Sequence, residues 1–160
     1  MAKWAVIGAA IVTASLSTSA ANAAAASATG RAKILGQVTV TNTSDLQFGT
    51  IATAASPSVV DIATNGARTC GAGLGCTGST TAADFTIGGT TGYVTTVSVP
   101  VSTTLSSGAN TMLALLNPTS GLVTLVANAG SFSIGGTLLV GGAQAEGDYT
   151  GTFTATVNYQ

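Results

Sequence analysis

The sequence predicts an all-β protein with an immunoglobulin-like β-sandwich, and three observations lead to this fold class. After residue 23, no stretch keeps the 3.6-residue apolar period of an amphipathic helix. Short runs rich in Val, Ile, Thr, Tyr and Phe recur instead, between clusters of Gly, Asn and Ser. There are about nine of these runs, at the spacing of small sandwich domains. The prediction depends on strand patterning alone, because the single tryptophan, Trp4, precedes the domain and excludes an antibody-type Cys-Trp-Cys core.

The first 23 residues have the pattern of a cleaved secretory signal peptide. Lys3 provides a basic start, residues 4–16 an apolar run, and Ala21-Asn22-Ala23 a small-residue cleavage site. The alternative is a membrane anchor, but the apolar run is shorter than the roughly 20 residues that a spanning helix needs. We therefore expect export through the inner membrane, with no stable membrane span left after processing.

The processed chain is predicted to consist of an N-terminal extension, residues 24–36, and one β-sandwich domain, residues 37–160. Turn signals such as Asn65-Gly66, Ser107-Gly108 and Gly141-Gly142 separate the runs of β-formers in the domain. In chain order, the predicted strands are residues 38–42, 46–51, 58–62, 83–87, 93–101, 112–117, 122–126, 130–140 and 149–159.

Charged residues make up only 6% of the chain, compared with roughly 25% in ordinary soluble domains. The basic residues after Ala23 are Arg31, Lys33 and Arg68, and the acidic residues are Asp45, Asp61, Asp84, Glu146 and Asp148. The sequence has no basic patch to which a nucleic acid would bind. So few charges produce little repulsion between copies, which suits self-association but also suits any secreted protein rich in small residues.

Two cysteines, Cys70 and Cys76, flank a glycine-rich stretch. In an oxidising compartment we expect them to form a disulfide. A loop this short should stabilise the fold by about 2 kcal/mol in the chain-entropy model. The alternative is a metal site, which the absence of histidine and of a second cysteine pair disfavours.

The residue types present give little basis for catalysis. The chain has no histidine, which excludes His-based triads and imidazole acid–base pairs. A two-carboxylate glycosidase stays open, although Asp45, Asp61 and Asp84 lie beside turns, where aspartate commonly bends or caps the backbone. Glu146 and Asp148 lack the dense oxygen spacing of a calcium loop. We expect a protein that is not an enzyme and has no cofactor or metal.

The last predicted strand alternates without interruption. Thr150, Thr152, Thr154, Thr156 and Asn158 occupy one face, and the other face carries Tyr149, Gly151, Phe153, Ala155, Val157 and Tyr159. Such a strand has one buried and one wetter face, and its register is fixed because a one-residue slip would bury the threonines. An ordinary final strand, paired on both sides within the domain, would show the same pattern.

The same segment resembles the C-terminal strand of chaperone–usher pilus subunits. In that family the penultimate residue is aromatic and a glycine lies fourteen residues from the C-terminus, and Tyr159 and Gly147 occupy these positions. Residues 45–51, 66–69 and 147–160 also resemble an uncharacterised, pilin-like domain family of secreted Gram-negative proteins. The resemblance implies a pilin-like fold and an assembly strand of Gly147, Tyr149, Gly151, Phe153, Ala155, Val157 and Tyr159.

Pilus subunits of this kind lack one strand of their sandwich, and the N-terminal extension of the next subunit supplies it as a donor strand. The extension of this chain alternates as a donor strand should, with Arg31 and Lys33 on its outer face and, on its inner face, Ala26, Ala28, Gly30, Ala32 and Ile34. These inner side chains are small and suit only a shallow groove. A disordered spacer would have a similar composition.

The resemblance implies a structural subunit of a surface pilus or fimbria, with a contribution to adhesion. Its partners would be copies of itself or related subunits, a periplasmic chaperone and an outer-membrane usher. It would pass through the periplasm and end at the cell surface or in an extracellular fimbria. The alternative function is a monomeric secreted or periplasmic β-sandwich that acts as a binding module and supplies its own final strand.

Overall fold

A computed structural model describes residues 23–160, and these residues contain twelve β-strands and no helix. The predicted signal peptide lies almost wholly outside the described residues. Residues 34–160 form one compact unit, and residues 23–33 fall into a separate unit without any strand. Within the described residues, no helix is long and apolar enough to span a membrane. The all-β prediction is confirmed.

In chain order the strands are β1 (Thr39–Ser44), β2 (Thr50–Ala52), β3 (Ser58–Ile62), β4 (Arg68–Cys70), β5 (Gly75–Thr77), β6 (Ala83–Gly88), β7 (Val94–Ser98), β8 (Ser102–Ser107), β9 (Asn110–Pro118), β10 (Leu122–Thr124), β11 (Ala129–Val140) and β12 (Thr156–Tyr159). They form a seven-stranded sheet, a three-stranded sheet in the order β10-β7-β12, and the pair β2-β5. All pairings are antiparallel.

The longest strand, β11, organises the large sheet. Its first half pairs with β6, its second half pairs with β3, and β9 pairs with residues 134–139. Strands β1, β4 and β8 extend the sheet beyond β6, β3 and β9. Different strands therefore cover the two halves of β11, which gives each half its own core.

Two apolar clusters fill the interior. The first joins β6, β9 and β11 of the large sheet to β7 and β12 of the small sheet, with Phe85 stacked on Phe132 at 5.0 Å between ring centroids. This face-to-face burial fits a β-sandwich. The second cluster lies under the other half of β11 and consists of Phe48, Val60, Ile62, Ala114, Leu138 and Val140.

Most predicted strands are present. Two of them are shorter than predicted, and in each case a single residue explains the difference. The predicted strand 46–51 is reduced to an isolated bridge at Gln47 and to β2, because Gly49 has a φ of 75° and interrupts the extended backbone. The predicted strand 93–101 ends at Ser98, shortly before Pro100, which has no N–H to donate to a ladder.

The sequence interpretation was wrong on three strands that it missed and on the extent of the last strand. It missed β4, β5 and β8, which are short or consist mainly of Ser and Thr. The predicted strand 149–159 pairs continuously only over β12, whereas its first half touches β8 at a single bridge, Ser106 to Thr150. Beyond that bridge, its contact with β8 is a side-chain hydrogen bond, from the Thr103 hydroxyl to the Thr152 carbonyl at 2.8 Å, instead of a continuous backbone ladder.

Candidate strand-binding groove

Residues 45–53, which include the short strand β2, and residues 145–153 face each other across a groove of about 1260 Å³. At one end, the Ala143 N–H donates to the Ala54 carbonyl at 2.8 Å and closes the groove. At the other end, the ring of Phe153 lies 6.5 Å from that of Phe85, whose backbone pairs with Asn42. The two walls therefore run antiparallel, with Asp45 near the Phe153 end.

The floor of the groove is apolar and shallow. It includes four members of the second core cluster, Phe48, Ala114, Leu138 and Val140, of which Ala114 is 0% exposed and Leu138 is 2% exposed. Larger apolar side chains on the walls and floor are only half-buried: Leu46, Ile51, Leu105, Met112, Tyr149 and Phe153. A further strand laid along the groove would bury these side chains without reaching the deep core.

The C-terminal wall uses only one side of its backbone for pairing. Thr150 exchanges two hydrogen bonds with Ser106, at 2.8 and 3.1 Å, and the Thr152 carbonyl accepts from the Thr103 hydroxyl at 2.8 Å. Successive backbone groups of an extended chain point to opposite sides. Among the described residues, none makes a backbone hydrogen bond to Gly151 or Phe153. This wall is an unpaired sheet edge that borders the groove.

Two glycines bring the C-terminal wall close to β8. A Cβ added at Gly151 would overlap the carbonyl oxygen of Thr104. At Gly147, where φ is 150°, an added Cβ would overlap the hydroxyl of Ser107. Both glycines are required for close approach to β8, and neither contributes a side chain to the groove.

The opposite wall, residues 45–53, is connected to the rest of the domain through β5. Strand β2 pairs with β5 in the register Ile51 to Cys76, and the predicted disulfide between Cys70 and Cys76 is present. Because β4 pairs with β3, the disulfide connects this wall to the large sheet. The guanidinium of Arg68 adds a second connection, since its Nη1 donates to the carbonyls of Thr77 at 2.7 Å and Phe48 at 3.2 Å.

The predicted assembly strand lies partly in the core and partly along the groove. Ala155 and Val157 are buried, whereas Tyr149, Phe153 and Tyr159 are half-buried. Gly147 and Gly151 are exposed. The predicted inward face is therefore present from Phe153 onward, and Tyr149 lines the groove instead.

The five inner positions of the candidate donor strand, Ala26, Ala28, Gly30, Ala32 and Ile34, are all exposed and lie outside any strand. Ile34 is 92% exposed, the largest exposure among the large apolar side chains of the described residues. Its assignment to a donor strand stays a prediction.

Sequence reasoning missed how the extension is anchored to the domain. The Tyr159 hydroxyl accepts from the Thr90 N–H at 2.7 Å and donates to the Gly36 carbonyl at 2.9 Å. The Gly36 N–H donates to the Thr90 hydroxyl, also at 2.9 Å. The penultimate aromatic residue thus fixes the chain at Gly36, where the sequence had placed the end of the extension.

The carboxylates divide into two structural types. Asp61 accepts from the Thr137 hydroxyl at 2.7 Å and Asp84 from the Ser133 hydroxyl at 2.6 Å, so both serve cross-strand pairing within the large sheet. Asp45, Glu146 and Asp148 line the groove and are exposed. Across residues 23–160, no group of three or more Cys, Asp or Glu side chains is arranged to hold a metal ion.

A family model described as "Domain of unknown function (DUF4402)" matches residues 38–159. The chain belongs to the DUF4402 family. The DUF4402 domain begins just before β1 and ends at Tyr159, so it contains both walls of the groove. No curated protein and no solved structure matches the chain.

Proposed function

We propose that this protein is a pilin-like structural subunit of a surface pilus or fimbria, assembled by donor-strand complementation. The observation that carries the proposal is the groove between residues 45–53 and 145–153, which combines an apolar floor with an unpaired backbone edge. Strand addition satisfies both features at once, because the added backbone pairs with the edge and its alternate side chains cover the floor.

The dimensions of the groove support a donor strand from the N-terminal extension. Each wall is nine residues long, and an extended strand of about nine residues spans roughly 30 Å. The inner face proposed for the donor, from Ala26 to Ile34, covers the same number of residues. Small side chains over most of this length fit a floor that is already nearly buried.

Partners and location follow from the same proposal. An unpaired apolar edge promotes aggregation, so a periplasmic chaperone would occupy the groove until an outer-membrane usher exchanges it for the donor strand. The protein would be exported by its signal peptide and function at the cell surface, where the assembled fibre would contribute to adhesion. None of these roles requires a catalytic residue.

The test separates a donor strand from a spacer. In one variant residues 24–34 are deleted, and in a second they are replaced by Gly and Ser at equal length, which keeps a tether but removes the alternating side chains. The readout is an unboiled denaturing gel of surface extracts. We expect a ladder of multimers for the natural chain and a single monomer band for both variants.

A ladder at natural levels from the Gly/Ser variant would contradict the donor assignment. A single monomer band from the natural chain would favour the alternative function, a monomeric binding module. Circular dichroism of the purified variants serves as the folding control, because both should retain the β spectrum of the natural domain.

A further inference from the structure

The two ends of the groove differ in charge. Glu146 and Asp148 lie exposed on the C-terminal wall, at the end closed by the Ala143 to Ala54 hydrogen bond. A single carboxylate, Asp45, lines the other end. The remaining two acidic residues, Asp61 and Asp84, are engaged within the large sheet. The closed end is therefore the more acidic one.

The N-terminal extension carries the opposite charge at one end. Of the four basic residues of the chain, Lys3 precedes the expected cleavage site, and Arg68 bonds to backbone carbonyls beside the groove. The other two, Arg31 and Lys33, lie in the second half of the extension. They fall on the outer face of the alternating pattern, next to the inner residues Ala32 and Ile34.

We propose that the groove selects the extension of a second copy of this chain, and that Glu146 and Asp148 make this selection by pairing with Arg31 and Lys33. This inference rests on the proposed function and adds the identity of the donor. The acidic residues of the groove and the basic residues of the extension occur in the same sequence, so self-assembly needs no related subunit.

Charge matching also fixes the direction of the donor strand. If the donor runs antiparallel to residues 145–153, its positions 31 and 33 come opposite positions 146 to 148. Arg31 and Lys33 lie on the outer face of the donor pattern, and Glu146 and Asp148 are exposed, so all four charged side chains lie away from the apolar floor. Side chains of opposite charge attract each other when they lie directly across from one another on the same face of an antiparallel strand pair. A parallel donor would place Arg31 and Lys33 at the Phe153 end, near Asp45 alone.

Charge-reversal variants of the full chain test the selection. One variant carries Arg31→Glu with Lys33→Glu, and a second carries Glu146→Lys with Asp148→Lys. For two exposed pairs we expect each variant to lower multimer yield at low salt by roughly 2- to 30-fold. Mixing the two variants should restore assembly between them, and Asp45→Lys, at the far end, should lower the yield less than either reversal.

The outcomes separate this inference from the proposed function. Natural yields from both reversal variants would overturn charge selection, although a monomeric Gly/Ser variant would still support donor-strand assembly. A larger loss of assembly from Asp45→Lys than from the reversal variants would overturn the proposed direction. If ladders form equally well from the Gly/Ser variant, the proposed function itself fails.

A second measurement needs no variant. Lys33 is the only lysine after Ala23, so a carbodiimide can join a lysine side chain to a carboxylate only at this residue. Multimers assembled from a mixture of ¹⁴N- and ¹⁵N-labelled chains identify inter-copy products by mass. We expect Lys33 joined to Glu146 or Asp148 of another copy. A dominant inter-copy product at Asp45, or none at Glu146 and Asp148, would contradict the inference.

Discussion

The hydroxyl of Tyr159 anchors the start of the domain, and Tyr159→Phe removes it while keeping the ring. The Thr90 N–H then loses its acceptor, which lies at 2.7 Å, and the Gly36 carbonyl loses its donor, which lies at 2.9 Å. The edge-to-face contact with Tyr93, at 5.9 Å between ring centroids, should remain. The substitution therefore isolates two hydrogen bonds.

The expected loss follows from the typical net value of such bonds. At roughly 0.5–1.5 kcal/mol for each bond, the free energy of unfolding should fall by about 1–3 kcal/mol. For a domain of this size the Tm should drop by about 4–11 °C. Urea denaturation of the monomeric Gly/Ser variant gives the free energy, and amide hydrogen exchange at Thr90 reports the anchor itself.

Tyr149→Phe is the matched control. Its hydroxyl also takes part in two hydrogen bonds, accepting from Gln144 Nε2 and donating to the Ala145 carbonyl, both at 2.8 Å. These bonds span only a few residues, so their loss should leave exchange at Thr90 unchanged. A change in the free energy of unfolding of less than about 0.5 kcal/mol for Tyr159→Phe, or equal exchange at Thr90 in both variants, would contradict this role of the Tyr159 hydroxyl.

Two further substitutions test how the groove walls are held. Replacing Cys70 and Cys76 by serine should lower the free energy of unfolding by about 2 kcal/mol, as measured by urea denaturation. Equal stability before and after the replacement would show that the disulfide does not stabilise the wall. Gly151→Ala should lower the free energy of unfolding by about 1–3 kcal/mol, because the new methyl group would overlap the Thr104 carbonyl oxygen. Gly121→Ala, where an added Cβ meets nothing within 4 Å, should be nearly neutral, and equal losses from the two alanine variants would contradict the close approach of Gly151 to β8.

Local signals in the sequence were sufficient for most of the sheet. Strand β3 has the predicted bounds because its β-branched run, Ser58–Ile62, pairs fully with β11. The breaks at Gly49 and Pro100 were not predicted, although each residue frees or restricts the backbone in a known way. These signals act within a few residues of their position.

The groove could not be predicted from such local signals. It depends on which strands lie beside β11 and on the absence of a complete strand between residues 45–53 and 145–153. Alternation in the sequence places Phe153 and Val157 on one face, but it does not state whether a neighbour pairs with the backbone. Likewise, the short strand β4 is specified by pairing with β3, not by its composition.

Hydrogen exchange at the unpaired edge distinguishes an empty groove from one that a donor strand fills. Amide exchange at Gly151 and Phe153 should be measured in assembled natural protein and in the monomeric Gly/Ser variant. We expect strong protection of both amides in the assembly and fast exchange in the monomer, because only the donor strand supplies their acceptors. Equal exchange in the two samples, with Thr150 protected in both, would contradict donor-strand complementation at this groove.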